Sequence, residues 1–161
     1  MSNKKFIESI PVGPLAIVAL PGSKALGDKV DAYISGWRSE RLEAKESPIT
    51  FKGYVKDSYL LNVSVPRFGT GEAKCALKDT VRGCDLYIID DVTNHSIEYT
   101  VCGQKNHMSP DDHYADIKRV IAAASGKARK ITVIMPFLYE SRQHRRSARE
   151  SLDCAMALHE L

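Results

Sequence analysis

Residues 131–137 (ITVIMPF) constrain the fold of this 161-residue chain most, because they are apolar, β-branched and aromatic at once. Such a run reads as a buried strand. Pro136 ends it, since proline cannot donate to a sheet ladder. Directly afterwards come Arg142, Gln143, His144, Arg145 and Arg146, with Arg149 just beyond. A loop leaving the carboxyl end of a strand in an open α/β sheet is where such folds bind ligands. Guanidinium groups crowded there suit a polyphosphate, through paired, charge-assisted hydrogen bonds. A solvated basic loop ahead of a helix is the plainer alternative, and the cluster alone does not separate the two.

The rest of the chain supplies the partners of that strand. Residues 15–20 (LAIVAL) form a second apolar run, followed by Pro21-Gly22-Ser23 and a helical pattern over 24–35. Leu26, Val30, Tyr33 and Ile34 should face inward there, with Ser23 as N-cap. Strand, turn and helix make the first βα unit of a parallel sheet. Residues 36–57 are charged and irregular, and read as an insertion or mobile connection that Trp37 pins to the body. Segments 59–65, 72–77 and 84–89 read as strands, and the glycines around Thr70 mark a tight turn. Residues 90–110 read as a polar loop before a helix over 111–125. Ser109 or Asp111 would cap that helix, with Pro110 in its first turn. Ile117, Val120, Ile121 and Ala124 form its inward stripe, and Gly126 ends it. A last helix over 149–161 runs to the final residue without a stop signal, the pattern of a truncated chain. The fold class is therefore α/β, a three-layer domain with a mostly parallel sheet. Residues 68–72 and 142–149 should lie on its ligand-facing edge.

Composition narrows the function classes. The length suits one domain with its own core, and 43% hydrophobic with 27% charged residues is ordinary for a soluble protein. A net charge of +3 does not by itself point to nucleic acid. The arginine cluster lacks the interleaved aromatics or recognised motif that would. No apolar run approaches the ~20 residues of a membrane helix, and MSNKKFIESI lacks the apolar core of a signal peptide. Cys75, Cys84, Cys102 and Cys154 form no C-x-x-C pair, which favours reduced thiols in a cytoplasmic protein. Asn62-Val63-Ser64 and Asn94-His95-Ser96 match the glycosylation pattern and, without a secretory signal, read as chance.

Three motifs carry a family likeness. Residues 136–156 (PFLYESRQHRRSARESLDCAM) resemble the signature P-Y-x-x-Y-A-R-Q-D-[RK]-K, spacer, R-E-P-I-[ST]-A-K of the ribose-phosphate diphosphokinases, the PRPP synthetases. The match falls on Pro136, Tyr139, Arg142, Gln143, Arg145 or Arg146, Arg149, Glu150 and Ala155. It departs at His144, Ser151 and Met156, where the family has aspartate, proline and lysine. Phe68-Gly69-Thr70-Gly71-Glu72 resembles the family's F-S-[ND]-G-E. In register after it, residues 80–88 (TVRGCDLYI) resemble S-V-R-G-x-D-[VI]-[YF]-[IV]. Residues 90–110 keep only Pro110 and Asp111 of the family's next loop.

PRPP synthetases move the β,γ-diphosphoryl group of ATP to ribose 5-phosphate with magnesium, giving PRPP and AMP. The resemblance implies the N-terminal, phosphoribosyltransferase-like half of a two-domain, oligomeric subunit. It implies that Arg142 and Gln143 bind ATP. Phe68, Thr70 and Glu72 would reach in from a neighbouring subunit, the phenylalanine against adenine. Read from the residues alone, Phe68 could equally be a core side chain at a strand end. Thr80, Arg82, Arg145, Arg146 and Arg149 are candidates for an allosteric phosphate site, the alternative for Arg82 being a turn held by a pair with Asp85. Asp90 and Asp91 stand where the family has glutamine and serine, so no protein-held metal is expected. The ribose 5-phosphate loop and catalytic segment belong to the family's second half, which implies no catalytic residue here and an inactive isolated chain. A non-catalytic regulatory homologue that keeps the fold and interface is the alternative. Thr70, His144, Ser151 and Met156 favour it; Phe68, Glu72, Arg142 and Gln143 favour the enzyme.

Overall fold

The computed structural model describes residues 11–44, 51 and 53–161. The chain runs through β1 (Leu15–Ala19), a 3-10 turn at Pro21–Ser23, α1 (Lys24–Glu43), β2 (Val63–Ser64) and β3 (Ala76–Leu77). It continues through β4 (Asp85–Ile89), β5 (Glu98–Val101), β6 (Gln104–His107), α2 (Pro110–Ala124), β7 (Lys130–Ile134) and α3 (Asp153–Glu160). β1, β4 and β7 form a parallel sheet with β4 in the middle. Leu60 bridges Ile17 on the other side of β1, also in parallel. The chain thus leaves β1 one way through α1 and leaves β4 the other way through α2. Right-handed crossovers then put the helices on opposite faces. The carboxyl ends of β1 and β4 flank the topological switch point.

Strand alternation divides the core accordingly. Ala16, Val18, Leu86 and Ile88 pack with Ile117, Val120 and Ala124 of α2. Ile17 and Ile89 pack with Tyr59 and, from α1, Val30 and Ile34. Helix α1 comes so close that a Cβ on Gly27 would lie 2.3 Å from that of Ala19. Helix α2 starts with a capping box: Ser109 Oγ accepts from the Asp112 amide (3.1 Å) and Asp112 accepts from the Ser109 amide (3.0 Å). It ends on Ser125 in the left-handed region, followed by Gly126. The other strands form two antiparallel pairs, β2–β3 and β5–β6. No helix among the described residues is long and apolar enough to cross a membrane.

Several expectations need correction. Helix α1 does not stop at Ser35 but runs to Glu43, so part of 36–57 is helical; residues 45–50 and 52 lie outside the described residues. The sequence RSERLEA is rich in good helix formers. Arg38 anchors the helix, its guanidinium over the rings of Tyr54 and Tyr59 at 4.3 and 4.9 Å. Trp37, expected to pin the insertion, lies within α1 at 42% exposure, under Arg41 of the same helix. Leu26 and Tyr33 face outward, Tyr33 at 73% exposure, because Gly27 and Asp31 take the inner face. Asp31 accepts from Ser58 Oγ and from the Tyr59 amide. Ser23 precedes α1 but makes no side-chain cap.

Residues 90–110 are not all loop: they contain the β5–β6 hairpin, turned by Cys102 (φ 49°) and Gly103 (φ 80°). Positive φ at both central residues is the type I′ hairpin turn. The third strand stops at Ile134, leaving Phe137 exposed. Segment 72–77 shortens to β3 plus a bridge between Arg67 and Ala73. The last helix begins at Asp153 instead of Arg149, since its Cys154 amide bonds to the Gln143 carbonyl at 3.3 Å.

Candidate functional site

Beyond β7 the chain turns tightly, with the Ser141 amide on the Leu138 carbonyl (3.1 Å) and the Gln143 amide on that of Glu140 (2.9 Å). Tyr139 fixes this loop to α2. Its ring stacks on Tyr114 at 4.3 Å and 7°, and its hydroxyl donates to Asp111 Oδ1 at 2.7 Å. Burial, then the Asp111 carboxylate, pushes the Tyr139 phenol well above its ordinary value. A cleft of about 530 Å³ opens here at the carboxyl edge of the sheet, lined by Arg142, Phe137, Tyr139, Pro110 and, from the β4–β5 connection, His95. Aromatic rings and a guanidinium on one lining suit a base bearing phosphate.

Arg142 is exposed on that cleft. Gln143 is engaged within the chain, its amide donating to the Ser151 carbonyl at 2.8 Å and closing the loop between them. His144 donates from Nδ1 to the Ser141 carbonyl at 3.0 Å. Arg145, Arg146 and Arg149 stand exposed inside this closed loop. Ser147 and Glu150 brace it with a 3.2 Å bond from the Ser147 amide.

The turn at 68–72 is built elsewhere. The Phe68 amide bonds to the Glu72 carbonyl (2.7 Å) and the Gly71 amide to that of Phe68 (2.9 Å). Thr70 Oγ1 donates to Glu72 Oε2 at 2.9 Å. Phe68 is 49% exposed, which excludes the core reading, and it is not among the residues lining the Arg142 cleft. Arg67 holds the turn from behind. With its side chain 9% exposed, it reaches Asp116 at 2.8 Å and Asp112 at 3.3 Å, and lies 4.8 Å over the Tyr99 ring of β5. Tyr99 in turn donates to Asp112 at 3.1 Å. The hairpin tip adds a bond from the Cys102 amide to the Gly69 carbonyl at 2.9 Å. Burial works to raise the Asp112 pKa, but hydrogen bonds from Ser109 and Tyr99 and the Arg67 charge outweigh it and lower it. For Asp116 burial wins and the pKa rises.

Thr80 and Arg82 precede β4, at the amino edge of the parallel sheet, with the Arg82 amide on Thr80 Oγ1 at 3.3 Å. Asp85 takes the Tyr87 hydroxyl at 3.5 Å, and no ion pair with Arg82 forms among the described residues. Strands of this length span about 16 Å, so within one chain the five anion candidates fall into two groups. Thr80 and Arg82 sit at one edge, Arg145, Arg146 and Arg149 beyond the other.

At the switch point the fully buried Asp90 meets buried His113, Oδ2 to Nδ1 at 3.0 Å, while Nε2 lies 2.9 Å from the Asn94 carbonyl. A carboxylate and a carbonyl both accept, so the doubly protonated ring can satisfy both contacts at once. Burial alone would lower the His113 pKa; the Asp90 hydrogen bond and charge overcome it and raise it. Gly22 leaves room for this pair, since a Cβ there would sit 2.6 Å from Asp90 Oδ1. Asn94 closes the set by donating to the Gly22 carbonyl at 2.8 Å.

Sequence reasoning missed Arg67, His113 and the hairpin. The available signals were Arg67 beside Phe68, acidic residues at i, i+4 on α2, and the Cys102-Gly103 pair between short alternating runs.

Comparison with known proteins gives a consistent result. The family model described as the N-terminal domain of ribose phosphate pyrophosphokinase matches residues 15–161. Ribose-phosphate pyrophosphokinase 5 of Schizosaccharomyces pombe is 32% identical over 82 residues, 50% of this chain and 20% of that protein. The crystal structure of phosphoribosylpyrophosphate synthetase from Mycobacterium smegmatis superposes with a TM-score of 0.59 at 17% identity, over 91% of this chain and 38% of that one. The chain thus spans about a fifth of the curated relative's length, and the structural match carries the fold.

Proposed function

The chain belongs to the ribose phosphate pyrophosphokinase family through its N-terminal domain, and from that premise we propose that it supplies ATP-binding surfaces for diphosphate transfer to ribose 5-phosphate. The carrying observation is the cleft at the carboxyl edge of the sheet, where exposed Arg142 shares the lining with the aromatic Phe137 and Tyr139. The exposed Phe68 turn supports a second surface: an aromatic face for adenine, with Thr70 and Glu72 beside it, offered to a neighbouring copy in an oligomer. Among the described residues no group of three or more His, Cys, Asp or Glu is placed to hold a metal ion. Magnesium enters this reading bound to the nucleotide. The alternative, a homologue kept for assembly or regulation, draws on Gln143, whose amide already serves the Ser151 carbonyl.

Calorimetric titration with magnesium ATP tests the reading. Arg142→Ala should weaken binding about tenfold or more, the ~1.5–3 kcal/mol of a hydrogen bond to a charged group. Phe68→Ala should weaken it too, through lost stacking, with circular dichroism unchanged. Binding by the wild type that neither substitution alters would discard both surfaces. No AMP should form from ribose 5-phosphate and ATP with this chain alone; AMP formation would overturn the division of labour between the family's two halves.

A further inference from the structure

Residues 90–110 depart from the family pattern, and the structure shows what they bring to the cleft. His95 lines the cleft from the β4–β5 connection, together with Arg142, Phe137 and Tyr139 of the segment after β7. Its backbone is fixed from both sides. Preceding Asn94 bonds to the Gly22 carbonyl through Nδ2 (2.8 Å) and receives His113 Nε2 on its own carbonyl (2.9 Å). The His95 carbonyl accepts from His107 Nδ1 at 2.7 Å, tying it to the base of the β5–β6 hairpin. The imidazole itself is exposed, with no internal hydrogen bond given to it among the described residues.

We propose that His95 is a phosphate-binding residue of this cleft, gripping the nucleotide's polyphosphate together with Arg142, a role that rests on the nucleotide reading above. The chemistry fits. An imidazole N–H donates to a phosphate oxygen in either tautomer. The lining combines the Arg142 guanidinium and the His95 imidazole with Phe137 and Tyr139, and Glu140 is the one carboxylate among its described residues. The hydrogen bonds that hold the backbone at 94 and 95 limit the ordering cost of binding. Substitution at 95 leaves the backbone bond from His107 in place, so the side chain can be tested without dismantling the hairpin.

The test is titration of the full chain with magnesium ATP and, separately, adenosine, for wild type, His95→Ala, His95→Gln and Arg142→Ala. The expected result is ATP binding about tenfold weaker in His95→Ala, partly restored in His95→Gln, with adenosine binding unchanged in both. ATP binding by His95→Ala within twofold of wild type, while Arg142→Ala loses it, would overturn this role and leave the nucleotide reading standing. Equal weakening toward ATP and adenosine would also overturn it, since the ring would then be shaping the cleft instead of meeting phosphate. A wild type that binds no ATP would remove both readings together.

Discussion

Arg67 does more for the Phe68 turn than any residue within the turn. Its guanidinium neutralises Asp116, whose side chain is 3% exposed, while Arg119 supplies a second contact to the same carboxylate at 2.5 Å. Removing one partner of a buried pair strands the other charge. Arg67→Met should therefore destabilise by less than the ~3–5 kcal/mol of a fully stranded charge, because Arg119 still reaches Asp116, read as a lower urea midpoint at unchanged slope. Asp116→Asn in the same chain should recover part of the loss; a midpoint unmoved by Arg67→Met would show the pair to be dispensable. His113 makes a pH-dependent contribution with a definite sign. Its pKa is raised above the ordinary 6.5, so its stabilisation is complete below that value and lost as pH rises through the folded one. The melting-temperature gap between wild type and His113→Gln should shrink as pH rises above about 6.5; a gap that widens would contradict the raised pKa. Neither residue was legible in the sequence. Asp112 and Asp116 look like the solvated face of an amphipathic helix, and only a distant Arg67 makes them interior. The apolar stripe Ile117, Val120 and Ala124 was legible, because burial against a sheet leaves a periodic trace that a long-range ion pair does not.

At the scale of elements, β1 and β4 were readable because burial on both faces writes each as an unbroken apolar run, and β7 carries the same run although it is only half-buried at the edge of the sheet. The hairpin was hidden for the opposite reason: β6 (QKNH) is exposed along its length and carries no alternation. Its turn is where the chain is most demanding. Cys102 adopts the left-handed region at φ 49°, which a β-branched side chain tolerates poorly. Cys102→Val should destabilise by about 1–2 kcal/mol, whereas Cys102→Gly should be close to neutral. Chemical denaturation separates the two, and equal effects would mean that the turn relaxes. The length of α1 was misread because a charged stretch looks like loop until Arg38 is seen to find two aromatic rings. Two of its exposed residues, Leu26 and Tyr33, were assigned inward because a helical period does not say which of two adjacent stripes meets the sheet when Gly27 and Asp31 are the ones that fit.

For the whole molecule, the Arg142 cleft and the Phe68 turn are separate surfaces of one chain, and the nucleotide reading joins them across two copies. This predicts complementation. Phe68→Ala and Arg142→Ala chains, each defective alone, should regain ATP binding at about a quarter of the sites when mixed and allowed to exchange subunits at random. Titration of the mixture showing only the sum of two weak binders would mean that the surfaces do not cooperate across copies. The β5–β6 hairpin spans the two within each chain, pinned at its base beside His95 and at its tip against Gly69. The hairpin is therefore a ruler. Removing one residue from each strand would shorten it by about 3.4 Å and also turn every later side chain to the opposite face, parting Tyr99 from Asp112. Only even changes keep the faces, so the reach between the surfaces comes in increments of about 7 Å. A lineage could lengthen or shorten that reach by whole increments while every residue that would touch a nucleotide stayed as it is.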